Sequence, residues 1–173
     1  VVNGIVIAVG GDTTVYGVNG ASGSVSWTVE GSAIDIATDG TSAFLAGGSV
    51  TSIDPTDGSQ NWEVDLEEFY APQIASCGEI LIVGAVSSNG DPDAKFVALE
   101  VTSGDIVWEE IVDGYQPFVV CGDTQVVYST DETDVIARTI TNGEFEWSVE
   151  YKDTSSDSAH LTEDGRLYVV VDG

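Results

Sequence analysis

Basic residues are nearly absent from this chain: 4 Lys and Arg stand against 30 Asp and Glu in 173 residues, a formal charge of −26. Nucleic acids and anionic lipid surfaces are bound by clustered Lys and Arg that displace counterions, so neither is an expected partner. Methionine is missing altogether, and the chain opens Val1-Val2-Asn3, so the first residue is not a translation start and the expectation is that upstream sequence has been removed. No apolar run approaches the ~20 residues that span a bilayer as a helix. The longest, Ile80 to Val83 continuing through Gly84-Ala85-Val86, has the length of a strand, so membrane insertion is not expected, and no signal-peptide pattern is present. Helical periodicity is absent throughout. The sole histidine, His160, lies in a strand-like context and cannot by itself build a transition-metal site. It also has no nucleophile placed for a triad, and its expected role is structural or solvent-facing. Gly10-Gly11-Asp12 opens no helix, which excludes a phosphate-binding loop. No Asn-x-Ser or Asn-x-Thr sequon occurs.

What is present is acid and a core. An excess of carboxylates this large repels itself in dilute buffer, whereas molar salt shortens the Debye length to ~3 Å and removes most of that repulsion. The expectation is a salt-adapted protein, haloarchaeal in type; an acidic calcium-binding or cation-buffering protein is the competing reading. The acids are scattered along the chain rather than gathered into ligand loops, which favours salt adaptation. Hydrophobic residues make up 42% of the chain, enough to pack a core and far from the composition of a disordered acidic tail.

The two cysteines occupy similar settings, Ser76-Cys77-Gly78-Glu79 and Val120-Cys121-Gly122-Asp123. Without CxxC spacing or a neighbouring His, zinc and thioredoxin-like redox chemistry are not expected. Two unpaired thiols at turn ends is the preferred reading; a disulfide is the alternative, and requires the Cα atoms to come within ~7 Å.

An internal repeat is the dominant signal. Trp27, Trp62, Trp108 and Trp147 are separated by 35, 46 and 39 residues, and four residues before each stands Gly23, Gly58, Gly104 or Gly143. Before each glycine comes a short apolar run: Val15–Asn19, Val50–Asp54, Phe96–Glu100 and Val135–Thr139. Ser-Gly, Asp-Gly and Asn-Gly between alternating runs are hairpin signals, because glycine takes the positive φ that a tight turn or bulge requires. Upstream of each hairpin lies another strand, at Gly4–Val9, Ser42–Ala46, Glu79–Ala85, Gln125–Ser129 and Arg166–Val171. A further short one precedes it at Ala33–Ala37, Pro72–Ser76, Pro117–Val120 and Ser158–Leu161. Four antiparallel strands per period of about 40 residues predict an all-β propeller. The segment is expected to span 1–173 as one domain and a partial ring, with repeats at about 4–40, 41–78, 79–122, 123–164 and a partial unit at 165–173. Both termini supply the same strand of the repeat, so ring closure is expected to come from missing sequence or from another subunit.

These residues resemble the pyrroloquinoline-quinone-type (PQQ-like) β-propeller repeat, whose motif reads roughly Ala-x-Asp-x-x-Thr-Gly-x-x-x-Trp. The run Ala98-Leu99-Glu100-Val101-Thr102-Ser103-Gly104-Asp105-Ile106-Val107-Trp108 fits well, and Ser52/Asp54/Asp57/Gly58/Trp62, Gly17/Asn19/Ser22/Gly23/Trp27 and Ala137/Thr139/Asn142/Gly143/Trp147 fall on the same positions. The resemblance implies that each Trp docks on the neighbouring blade, so Gly23, Trp27, Gly58, Trp62, Gly104, Trp108, Gly143 and Trp147 are structural. It does not carry the cofactor: quinone-dependent members hold PQQ between a Trp platform and adjacent bonded cysteines, with Ca²⁺ and a catalytic Asp, and no vicinal cysteine pair exists here.

Candidate chemistry is therefore sparse. Asn89, Asp91 and Asp93, in the insertion behind the 46-residue spacing, are the calcium candidates, although EF-hand order and a closing Glu are missing. Glu67-Glu68, Glu109-Glu110 and Asp131-Glu132-Thr133-Asp134 read as solvated loops and hairpin tips. No catalytic residue, metal or cofactor is expected. The resulting expectation is a non-catalytic scaffold, secreted or at the cell surface, that binds other proteins or a polymer through its rims. A portion of a larger quinone-dependent dehydrogenase or sensor, and a subunit of a surface layer, filament or halophilic virus, are the alternatives.

Overall fold

A computed structural model describes residues 1–113, 118–122, 125–130, 134–150, 156–161 and 167–171. All of its regular elements are strands, in consecutive antiparallel sheets. The first sheet is β1 (Ile5–Val9), β2 (Thr14–Asn19) and β3 (Val25–Glu30). Three four-stranded sheets follow: β4 (Asp35–Thr38), β5 (Ala43–Ala46), β6 (Ser49–Ile53) and β7 (Gln60–Asp65); β8 (Phe69–Cys77), β9 (Ile80–Ser87), β10 (Asp93–Glu100) and β11 (Ile106–Asp113); then β12 (Val120–Cys121), β13 (Gln125–Thr130), β14 (Asp134–Thr139) and β15 (Phe145–Glu150). A fifth sheet pairs β16 (Ser156–Leu161) with β17 (Leu167–Val171). Strands adjacent in sequence pair throughout, so each sheet is a meander, the blade of a propeller.

Position in the blade sets the residue pattern. β5 and β9 lie between neighbouring blades on both faces, so Ala43-Phe44-Leu45-Ala46 is wholly buried and β9 is buried from Leu81 to Val86. Outer strands pack only one row inward. In β7 and β11 half-buried Trp and Val therefore alternate with exposed carboxylates such as Glu63, Asp65 and Glu109. Charged residues on these open edges also discourage pairing with another chain. The expected strand at Pro72–Ser76 is the middle of a longer one: β8 begins at Phe69, and Pro72 sits where the register shifts between Tyr70 and Gln73, so no ladder hydrogen bond is lost to it. The short strand expected ahead of Ser42–Ala46 pairs with it as β4, so three four-stranded sheets stand between a three-stranded first sheet and a two-stranded last one.

Candidate functional site

The repeated motif builds the seams between blades. At the seam between the first two sheets, Trp27 Nε1–H donates to Pro55 O at 2.9 Å. Trp62 Nε1–H donates to Val101 O at 2.9 Å in the second seam, and Trp108 Nε1–H to Ile140 O at 2.8 Å in the third. Each acceptor lies in the hairpin turn of the following blade, whose glycine meets the indole face. A Cβ added to Gly58, Gly104 or Gly143 would stand 2.6, 2.8 or 2.9 Å from Trp27, Trp62 or Trp108, and all three glycines hold φ between +71° and +78°. Glycine is thus required twice over, by backbone conformation and by the ring laid on it.

The hairpins share one hydrogen-bond scheme. Asn19, Asp54, Glu100 and Thr139 each donate N–H to the carbonyl five residues on, and accept at their own carbonyl from the N–H of the motif glycine. A register shift follows in every β2-, β6-, β10- and β14-type strand, after Gly17, Ser52, Ala98 and Ala137, the small residues opposite Trp27, Trp62, Trp108 and Trp147. Trp147 packs with Phe118, Val135 and Ala137. Gly23 has the same positive φ as its counterparts, with open space beside it.

Cys77 and Cys121 form a disulfide, which corrects the expectation of unpaired thiols. Each cysteine ends the inner strand of its blade, and inner strands of adjacent blades lie side by side, so a sequence separation of 44 becomes a Cα–Cα distance of 5.6 Å. A second tie joins inner strands one blade earlier: Asp35, at the start of β4, accepts from Ile74 N in β8 at 3.0 Å and from Ile36 N.

The remaining candidates are dispersed. Asn89 and Asp91 lie in the turn after β9, and Asp93 opens β10 opposite Asp113. Among the described residues no three His, Cys, Asp or Glu side chains gather as a metal site. Glu67 and Glu68 form the β7–β8 turn. Glu109 pairs with Lys95 at 2.8 Å, and Glu110 with Arg138 of the following blade. Residue 160 falls in β16 opposite Tyr168, while its side chain and residues 131–133 lie outside the described residues. Nor do the residues fit a quinone. Trp27, Trp62 and Trp108 are consumed in seam packing, and the two cysteines clasp separate blades instead of forming a vicinal pair.

Among the described residues a cleft of about 940 Å³ opens at the first seam. Its floor is Val29, Leu45 and Ile53, and its walls carry Glu63 and Asp65, with Glu30, Gly31 and Ser32 along its edge. Sequence reasoning passed over these residues, because their alternation reads as an ordinary outer strand.

Meandering four-stranded sheets joined by tryptophan–glycine docking define a β-propeller of PQQ-like repeats. The chain belongs to the family described as outer membrane protein assembly factor BamB, whose model matches residues 1–149. Solved structures agree on the fold. BamB from Moraxella catarrhalis is 16% identical with a TM-score of 0.73, over 98% of this chain and 59% of that one. Quinohemoprotein alcohol dehydrogenase from Comamonas testosteroni is 10% identical with a TM-score of 0.74, over 98% and 38%. The Cps50 (Swd1) β-propeller domain of Myceliophteria thermophila is 14% identical with a TM-score of 0.75, over 97% and 58%. The chain thus spans well under two thirds of each of these structures. No curated protein matches the sequence.

Proposed function

We propose that this chain is a non-catalytic, salt-adapted propeller scaffold that works outside the cytoplasm and binds another protein or a polymer through its rims. The observation that carries the reading is the use of the motif residues: the Trp27, Trp62 and Trp108 indole N–H groups are bonded to the next blade and the glycine facing each is covered, so the repeat is spent on rigidity and recognition falls to rim loops and seams. The family's description as an outer-membrane assembly factor supports an interaction role and a surface location. The Cys77–Cys121 bond supports an oxidising compartment. The charge of −26 supports a salt-rich one.

The fold likeness to a quinohemoprotein dehydrogenase favours a second reading, a portion of a larger enzyme. One titration separates them. The chain is held in molar KCl, where its β-sheet circular dichroism is expected intact and from which dialysis to a few tens of millimolar is expected to abolish it. PQQ and Ca²⁺ are then added. No quinone absorbance is expected to survive desalting, and no alcohol-dependent dye reduction is expected. Stoichiometric quinone retention with dye reduction overturns the scaffold reading, and an unchanged spectrum at low salt overturns salt adaptation.

A further inference from the structure

The blades are copies of one another, so each seam serves as a template for the next. In the second seam, Leu81, Val83, Ala85, Val97 and Lys95 cover the face that the third sheet turns toward the second; all but Lys95 belong to a buried cluster. Their register counterparts in the second sheet, facing the first, are Ala43, Leu45, Gly47, Thr51 and Ser49. Opposite them, the position of Leu66 is taken by Gly31. The counterparts that line the cleft, Thr51 for Val97, Ser49 for Lys95 and Gly31 for Leu66, are each smaller, so the seam is left open where they stand.

The charge pattern is the informative part. In the second seam Glu109 receives the Lys95 ammonium at 2.8 Å, and the same ammonium lies 5.7 Å from the Phe69 ring centroid. Glu63 occupies the position of Glu109, one residue after its tryptophan and opposite Thr51, but the ammonium's position is held by Ser49. Ser49 Oγ donates to Glu63 Oε1 at 2.8 Å, which holds the carboxylate at the cleft wall without neutralising it. Asp65 adds a second carboxylate beside the apolar floor, and no Lys or Arg lines the cleft.

We propose that this cleft is a docking groove for an extended, lysine- or arginine-bearing segment of a partner protein, whose cation takes at Glu63 the place that Lys95 takes at Glu109. The proposal rests on the interaction-module reading. Alternating basic and apolar side chains match the groove: cations reach Glu63 and Asp65 while apolar groups cover Val29, Leu45 and Ile53. The partner is a protein segment rather than a free polyamine, because a polyamine leaves that floor uncovered.

The probe is the capped peptide Lys-Val-Lys-Val-Lys, titrated into the ¹⁵N-labelled chain at the lowest salt that keeps it folded. Saturable shifts confined to residues around Glu30, Thr51, Glu63 and Asp65 are expected. Ser49→Lys, which supplies the missing ammonium within the chain, is expected to weaken binding about tenfold or more. Its thermal midpoint is expected to stay the same or rise, so the loss is not unfolding. Glu63→Gln is expected to weaken binding in the same direction. The proposal is overturned if no binding occurs, if Ser49→Lys binds equally well, if the shifts map elsewhere, or if capped Glu-Val-Glu-Val-Glu or spermine binds as tightly. Absence of binding without quinone chemistry removes the groove and leaves the scaffold reading standing. Quinone-dependent activity removes the scaffold reading by a separate readout.

Discussion

The first and second seams use the same docking device and are filled differently. Trp27 and Trp62 each donate to a carbonyl of the next hairpin at 2.9 Å and lie against a positive-φ glycine. Around Trp62, however, Phe44 stacks at 5.8 Å between ring centroids, and Val50, Leu66, Leu81, Val83, Val97 and Leu99 close a continuous core. Around Trp27 the buried set shrinks to Val15, Ala43, Leu45 and Ile53, and the outer part of the seam opens into the cleft. The indole and its glycine therefore set how blades register, while the residues on the facing strands decide whether a seam is a core or a groove.

The sharpest way to break this comparison is to remove one indole at a time. Trp62→Ala is expected to cost about 3–5 kcal/mol, because a large ring leaves a cavity against a continuous packed cluster that cannot readily collapse into it. Trp27→Ala is expected to cost clearly less, since the walls beside it can relax into the cleft and water can enter. Denaturant midpoints of both variants in molar KCl check this. Equal losses would show that the open part of the first seam does not weaken its packing.

The third seam adds a covalent term that the other two lack among the described residues. Closing a 44-residue separation removes roughly 4 kcal/mol worth of freedom from the unfolded chain in the entropic model. Cys77→Ser with Cys121→Ser is accordingly expected to lose about 2–4 kcal/mol, the lower end allowing for structure that persists in the unfolded state. The check is to titrate the variant with denaturant beside the parent protein with its thiols oxidised and reduced. The reduced parent is expected to match the double variant; a reduced protein as stable as the oxidised one contradicts the assignment of the bond as a structural clasp.

How much of this was readable in the residues follows from what each feature depends on. Trp and Gly four residues apart, four times over, is a local pattern, so blades, hairpins and bulges could be drawn from it. Which hairpin a given Trp reaches is a matter of blade stacking, yet the repeat supplies it, since each copy meets the next in order. The disulfide was not legible in this way: Cys77 and Cys121 are separated by a whole blade, and only the approach of inner strands joins them. The tie from Asp35 to Ile74 N was hidden for the same reason. The cleft was invisible for a subtler one. Thr51, Ser49 and Gly31 are ordinary strand and turn residues, and their smallness matters only when register shows that Val97, Lys95 and Leu66 are their counterparts.

The smallest effect expected concerns acid rather than packing, and it sharpens the comparison because it belongs to the second blade itself rather than to either seam. Burial works to raise the Asp39 carboxyl, but hydrogen bonds from Ser42 N, Thr41 N and the Thr41 hydroxyl outweigh it and hold the group below its ordinary value. These bonds close the β4–β5 turn, where Gly40 takes a φ of +92°. A carboxyl depressed in the folded state contributes stability that is fully present above its unfolded value and is lost as pH falls through the lowered folded value. Asp39→Asn keeps the acceptor and abolishes the titration. The variant is therefore expected to lose a small part of the parent's stability near neutral pH and to show a shallower decline below the ordinary carboxylate range. Thermal midpoints measured from neutral pH downward in molar salt read both slopes, and parallel curves would place the acid sensitivity of this blade elsewhere.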